Sequence, residues 1–480
     1  MSVVVRPASS NRTLRASAAV AAVAAVNQLS RALGRGSGTV AGGRAGLAID
    51  PDLLATLAHG HRVALVSGTN GKTTTTRMLA AVLAGPNGTD PVVSNDTGAN
   101  MPAGHVAALA GGVVGAPVVL EVDEGYLGRV VEATSPEVVL LLNLSRDQLD
   151  RISEVRMLVD RWRTALGALP RPAPGRPGTV VVANADDPMV TWAANPAPDV
   201  RWVGAGQVWQ DDAVGCPACG GRITFEEAGG WECDRCEFAR PEVVARLDGD
   251  DLVLADGSRH PVEITLPGRF NRANAAMVAV AGAVMIDDER GGVVEALSRV
   301  AHVKEVAGRF ATVQRSGHDV RLLLAKNPAG WTAIFDLVDE DGPPAPECPP
   351  LVLSINARVA DGKDTSWLWD VPFERLVGRT VVATGERRLD LAVRLRYAEV
   401  AHTVVAAPLD ALDHAVRMTE AADQADGHAD GVGEAGGAEH PRGADHGSGT
   451  GEAGSHGATS GRAVQFLGNY TAFADLRSAL

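Results

Sequence analysis

Aromatic residues are scarce in this chain of 480: Trp, Tyr and Phe together make up 4% of it, so Val, Leu and Ala must fill the cores. Cysteine is scarcer still, at five residues, which excludes a disulfide-stapled scaffold for a chain of this length. No run approaches 18 strongly apolar residues, so no membrane-spanning helix is predicted. Basic residues are outnumbered, 44 Lys and Arg against 58 Asp and Glu, and the net charge of −14 argues against nucleic-acid binding.

What is present is an ordinary globular composition, 45% apolar and 21% charged, in a chain long enough for two or three domains. The alanine-rich run at 16–26, preceded by Arg6, Arg12 and Arg15, continues through Asn27, Gln28 and Arg31. That polarity fits a packed helix rather than a secretory leader. The glycines between 34 and 46 read as a flexible connection, and 51–59 as a helix.

Apolar runs at 62–66, 117–122, 138–142 and 179–182 alternate with helix-compatible segments, the pattern of a parallel α/β sheet. A second strand-helix series begins with 321–324, 351–355, 380–383 and 402–406 and resumes at 463–467. The fold class is therefore α/β in two layered parts, the second Rossmann-like, with a boundary near residue 312. Residues 421–462 are almost entirely small or polar, too poor in large apolar groups to offset chain entropy, and read as a disordered acidic loop.

The run Gly68-Thr69-Asn70-Gly71-Lys72-Thr73-Thr74 sits between a predicted strand and a predicted helix. Backbone N–H groups and the helix N-terminus would face phosphate oxygens there, Lys72 would neutralise them, and Thr73 could hold Mg²⁺. A plain glycine turn has no need of a cation at a helix start, where it opposes the dipole. Glu121, at the end of a predicted strand, supplies a hard oxygen suited to Mg²⁺, with Asp123 and Glu124 as weaker candidates.

Cys216 and Cys219, then Cys233 and Cys236, form two C-x-x-C pairs thirteen residues apart, the signature of a tetrahedral zinc site. Four protein ligands leave no open position, so the site is structural. Paired thiols in a large phosphate-binding protein also place the chain in the reducing cytoplasm. Lone Cys348 shows no local sign of a nucleophile.

The phosphate-loop string resembles the Gly-Thr-Asn-Gly-Lys-Thr signature of the Mur ligase and folylpolyglutamate synthetase superfamily. Glu121 matches its Mg²⁺-binding glutamate. The run 143–150 resembles its Asn-x-x-x-Asp-His-x-Asp segment, with Gln148 where the superfamily has histidine. Residues 268–275 resemble its adenine-side segment, with Phe270 for histidine and with Asn271 and Asn274 retained. Arg309 matches its γ-phosphate arginine. No lysine occurs in 151–169, where many members carry a carbamylated one.

The four cysteines, the missing histidine, and the strings 324–331, 356–370 and 469–472 are similar to the MurT-type branch, whose members are ligase subunits of lipid II isoglutaminyl synthase. That resemblance implies an N-terminal segment at 1–60, a central ATP-binding domain at 61–311, a zinc ribbon inserted at 205–245, and a C-terminal domain at 312–480. It implies ATP, Mg²⁺ and structural Zn²⁺ as cofactors and adds Lys326 to the nucleotide-binding set. It further implies a GatD-like glutamine amidotransferase partner, lipid II as acceptor at the inner membrane face, and amidation of the D-glutamate α-carboxylate. Asp364, with Asp361 as runner-up, would then orient the partner's catalytic histidine. Trp367 and Trp369 fall on one face if that segment is extended. Two alternatives stay open: a superfamily ligase that adds an amino acid, and a nucleotide-binding scaffold without catalysis.

Overall fold

In the computed structural model, the residues described are 14–33, 39–95, 98–146, 152–174, 178–206, 209–226, 229–286, 288, 291–303, 310–340, 348–429 and 463–480. The chain divides into two compact units, Met1–Val306 with Thr332–Leu337, and Ala307–Trp331 with Val338–Leu480.

The first part of the chain begins with helices α1 (Leu14–Ala32), α2 (Thr39–Ile49) and α3 (Leu53–Ala58). Strand β1 (Val63–Ser67), α4 (Lys72–Leu83), β2 (Val93–Ser94), α5 (Pro102–Gly111), β3 (Val118–Glu121), α6 (Leu127–Thr134) and β4 (Val138–Leu141) follow. Then come α7 (Ile152–Gly167), β5 (Val180–Asn184), α8 (Pro188–Ala194), β6 (Val200–Gly204) and the small hairpin β7 (Ile223–Phe225) and β8 (Trp231–Cys233). Strands β9 (Ala245–Asp248), β10 (Asp251–Leu254) and β11 (Arg259–Pro261), with α9 (Arg269–Ile286) and α10 (Gly292–Val300), complete this series.

The large sheet has nine strands in the order β11-β10-β9-β6-β5-β4-β1-β3-β2. From β9 to β2 the pairings are parallel, and β10 and β11 are antiparallel. Alternation sends Val63, Leu65, Val118 and Leu120 into one core and Ala64, Val66 and Val119 into the other. Both faces are therefore covered, which is why these strands read as continuous apolar runs. Each such Val or Leu side chain contributes about 1.5–3 kcal/mol by leaving water.

The glycine-rich segment departs from the sequence expectation over 39–49, which is helical. Gly42, Gly43 and Gly46 are buried there. A Cβ on Gly43 would lie 1.8 Å from the Ala103 carbonyl oxygen of α5, and one on Gly46 would lie 2.6 Å from Val23 Cγ2 of α1. These glycines buy backbone approach between helices rather than freedom. Helix α1 turns Ala16, Ala19 and Val23 into the same contact. Among the described residues, no helix is long and apolar enough to cross a membrane.

The later series comprises β12 (Phe310–Arg315), β13 (His318–Leu324), α11 (Pro328–Glu340), β14 (Leu351–Ser354), β15 (Val381–Thr384), α12 (Arg388–Tyr397), β16 (His402–Val404), α13 (Pro408–Ala429), β17 (Val464–Gly468) and α14 (Tyr470–Ala479). Its six-stranded sheet runs β12-β13-β17-β14-β15-β16, parallel except for the β12–β13 hairpin. Helix α13 continues to Ala429, so the loop expected from 421 does not begin there. The rest of that tract, 430–462, lies outside the described residues.

Candidate functional site

Adjacent strands β1 and β3 send the chain to opposite sides of the sheet, toward β2 and β4 respectively. In a parallel α/β sheet such a switch opens a crevice at the carboxyl strand ends. The phosphate loop leaves β1 at this point, Glu121 ends β3, and Asn143 follows β4.

The loop's shape depends on two glycines. Gly71 caps α4 in the left-handed region with φ of 85°, and a Cβ there would press on the Asn274 side-chain amide at 3.0 Å. Gly68 has φ of 148°, and a Cβ would meet Leu142 Cβ at 2.9 Å. The first helical bond runs from Thr75 N to Gly71 O, so the N–H groups of Lys72, Thr73 and Thr74 are directed out of the helix end. Thr73 is half-buried at that end and Thr74 is buried.

The segment after β4 clamps the loop. Asn70 N donates to Asn143 Oδ1 at 2.8 Å, and Asn143 Nδ2 donates back to Asn70 O at 3.0 Å. Thr69 Oγ1 donates to Ser145 O and accepts from Ser145 N, both at 3.0 Å. Asp187 accepts from Leu144 N at 2.8 Å while capping α8 through Met189 N and Val190 N. Arg146 pairs with Asp212 at the root of the cysteine-rich insertion. Gln148 lies outside the described residues.

Lys72 Nζ donates to Gly68 O at 2.6 Å, to Thr69 O at 3.1 Å and to Glu124 Oε1 at 3.2 Å. Glu124 therefore pairs with the loop cation, and Asp123 caps the turn by accepting from Gly125 N at 3.0 Å. Sequence alone missed the Lys72–Glu124 pair, because strands far apart in the chain create it.

Glu121 is buried, and its Oε2 has no hydrogen-bond partner, while Oε1 accepts from Asn100 Nδ2 at 3.3 Å. Its backbone is fixed by Asn95, which accepts from Glu121 N at 2.8 Å and donates to Glu121 O at 2.9 Å. His105 Nε2 also bonds Glu121 O at 2.8 Å, and burial lowers that imidazole to about 4, so it is neutral and donates there. A buried carboxylate oxygen without a donor is costly, and a hard divalent cation would satisfy it. The residues present thus fit Mg²⁺.

Asn271, in the first turn of α9, donates to Pro267 O at 2.6 Å, and Asn274 lies against Gly71. Lys326 is half-buried just after β13. Arg309 lies outside the described residues.

The four cysteine sulfurs lie within 4.8 Å of one another, with Cys216–Cys236 at 3.8 Å and Cys219–Cys233 at 3.5 Å, and none is in a disulfide. A tetrahedral ion with bonds of about 2.3 Å requires sulfur separations of about 3.8 Å. Gly221 N and Arg235 N donate to Cys219 and Cys233 at 3.3 and 3.4 Å, which stabilises thiolate. The geometry fits zinc. Trp231, the first residue of β8, donates through Nε1 to Ala185 O at 2.9 Å, just past β5, and ties the insertion to the large sheet. The insertion ends before Ala245, which already belongs to β9. Cys216→Ser is expected to reduce bound zinc from about one per chain to none and to expose the β7–β8 amides. Elemental analysis with hydrogen exchange checks both.

In the second unit, Asp361 is buried and accepts from Thr471 N at 2.8 Å, from Thr471 Oγ1, and from Arg358 N at 3.3 Å. Asn356 and Asn469 exchange bonds of 3.0 and 2.7 Å beside it. Asp364 is exposed and accepts from Ser366 Oγ at 2.7 Å and Ser366 N at 2.8 Å, which hold its carboxyl below the usual range. The following residues form a 3₁₀ turn, Ser366–Trp369, rather than a strand. Trp367 is consequently buried and Trp369 is 54% exposed, not on a common face.

A phosphate loop at a switch point, with a buried acid at the neighbouring strand end, is the arrangement of a nucleotide-phosphate site, and the family matches make it that of a Mur-type ligase. The Mur ligase middle domain family matches residues 66–282 and the MurT ligase C-terminal family matches 324–428. The lipid II isoglutaminyl synthase (glutamine-hydrolyzing) subunit MurT of Streptococcus pneumoniae is 30% identical over 76% of this chain and 83% of its own length. Its counterpart in Staphylococcus aureus strain COL is 28% identical over 77% and 85%. The pseudomurein peptide ligase type C of Methanothermus fervidus shares the fold at a TM-score of 0.55 and 19% identity, over 88% of this chain and 79% of that one. The chain belongs to the MurT family of Mur ligases.

Proposed function

We propose that this chain is the ligase subunit of a lipid II isoglutaminyl synthase, acting in the cytoplasm at the inner face of the membrane. The observation that carries the reading is the presence in one chain of a complete phosphate loop and of an exposed, ionised Asp364 in a MurT-type C-terminal unit.

A carboxylate is a poor electrophile because its charge is delocalised over both oxygens. ATP transfers its γ-phosphoryl group to the D-glutamate α-carboxylate, giving an acyl phosphate and ADP. Ammonia then attacks the carbonyl carbon, phosphate leaves with the C–O bonding pair, and a proton is lost to give the amide. Lys72 and the α4 N-terminal amides hold the phosphate oxygens in place as charge redistributes. Thr73 and Glu121 hold Mg²⁺, which when bound acts as a Lewis acid toward those oxygens. Asn271 and Asn274 serve the adenine side, where an amide donates and accepts together. Arg309 and Lys326 complete the nucleotide set. Cys216, Cys219, Cys233 and Cys236 hold a structural zinc.

Ammonia is mostly protonated at neutral pH, so it must be made beside its acceptor, which calls for a GatD-like glutamine amidotransferase as partner. Exposed apolar groups in the second unit support a docked protein. Leu389, Val393 and Tyr397 recur every four residues on α12 and are 65%, 50% and 72% exposed. Trp369 stacks edge-on against Tyr397 with ring centres 5.3 Å apart. Aromatics at such density on a surface mark interfaces. Asp361 is already committed to α14, which leaves Asp364 as the acid for the partner's histidine.

The test is mass spectrometry of lipid II incubated with ATP, Mg²⁺ and glutamine. Conversion of one carboxylic acid to a carboxamide, only when both subunits are present, is the expected result. Addition of an amino-acid residue by this chain alone would instead make it a conventional Mur ligase.

A further inference from the structure

Lys72 has three N–H donors, and all three have acceptors: the carbonyls of Gly68 and Thr69 and the carboxylate of Glu124. Its side chain is 5% exposed and that of Glu124 is 13% exposed, so this ion pair is poorly screened. To reach a phosphate, the ammonium must release one acceptor. The two carbonyls belong to the loop backbone, which Asn143 and Ser145 clamp. The Glu124 backbone is also held, since Trp162 Nε1 donates to Glu124 O at 2.8 Å. What remains free to move is the Glu124 side chain.

We propose that Glu124 is a positioning residue whose carboxylate occupies the phosphate's place on Lys72 when no nucleotide is bound, and competes with the nucleotide for it. It keeps the buried ammonium neutralised and extended toward the strand ends, at the cost of weaker nucleotide binding. The carboxylate must swing off Lys72 as phosphate arrives, because two anions cannot share one donor without repulsion. This role rests on the phosphate-loop reading of residues 68–74.

The experiment is titration of the full chain, with its partner, by fluorescent ADP, with and without Mg²⁺. Glu124→Gln keeps the shape and removes the charge, and is expected to tighten ADP binding about tenfold in both conditions. Glu124→Asp, which keeps the charge on a shorter arm, is expected to fall between Gln and wild type. Unchanged or weaker binding by Glu124→Gln, with an unaltered melting temperature, overturns the proposal, and weakening seen only with Mg²⁺ would make Glu124 a metal ligand instead. Lys72→Ala separates the two readings: if it leaves ADP affinity intact, the phosphate loop itself is misassigned, whereas loss of affinity there with no effect of Glu124→Gln removes only the competing-carboxylate role.

Discussion

Lys72→Ala is expected to lower ATP-dependent amidation by on the order of 10³-fold or more, a loss of the size seen when a preorganised cation is removed from a transferring phosphoryl group. Truncation removes the charge that faces the phosphate oxygens. It also leaves Glu124 as an uncancelled carboxylate near the loop, which repels the nucleotide. Both effects act in the same direction, so nucleotide affinity and turnover fall together. The second unit's surface does not depend on Lys72, so co-elution with the glutaminase subunit is retained. Amidation of lipid II measured at saturating ATP checks this, and a rate within tenfold of wild type would remove the phosphate-loop assignment.

Asp364→Asn is expected to suppress the partner's glutamine hydrolysis by about 10³–10⁴-fold, the cost of losing the acid that orients a catalytic imidazole. The two hydrogen bonds from Ser366 hold Asp364 ionised, and its side chain is exposed. Asparagine keeps the turn but cannot stabilise an imidazolium. ATP hydrolysis supported by added ammonia should be spared, which separates this role from damage to the ligase site. Asp361→Asn is expected to behave differently, because it weakens the bonds to Thr471 and loosens the start of α14, so its main readout is melting temperature. Loss of glutaminase activity in Asp361→Asn with none in Asp364→Asn would exchange the two assignments.

Much of the first unit was legible because its strands are buried on both faces. The run at 62–66 corresponds to Val63–Ser67 and that at 138–142 to Val138–Leu141, since nothing polar interrupts a doubly covered strand. The short edge strand Val93–Ser94 carried no such signal. The glycines at 42, 43 and 46 misled because composition reports conformational freedom, and only the proximity of Ala103 and Val23 shows close packing. Trp367 and Trp369 misled for a related reason: side-chain period follows the backbone, and a 3₁₀ turn splits a pair that a strand would align.

The sequence by itself determined the local chemistry: a glycine loop with its lysine at a helix start, two cysteine pairs, and an acid at a strand end. These are legible because each is set by residue type and short spacing along one chain segment. Only the tertiary structure decided which groups share a site. Parallel pairing of β1 with β3 and β4 brings Glu124 to Lys72 and Asn143 to Asn70, contacts that span 52 and 73 residues. It likewise decided that Asp361 is spent on Thr471, 110 residues away, while Asp364 faces water. Partnerships of that range follow from strand order and register, which no local pattern encodes.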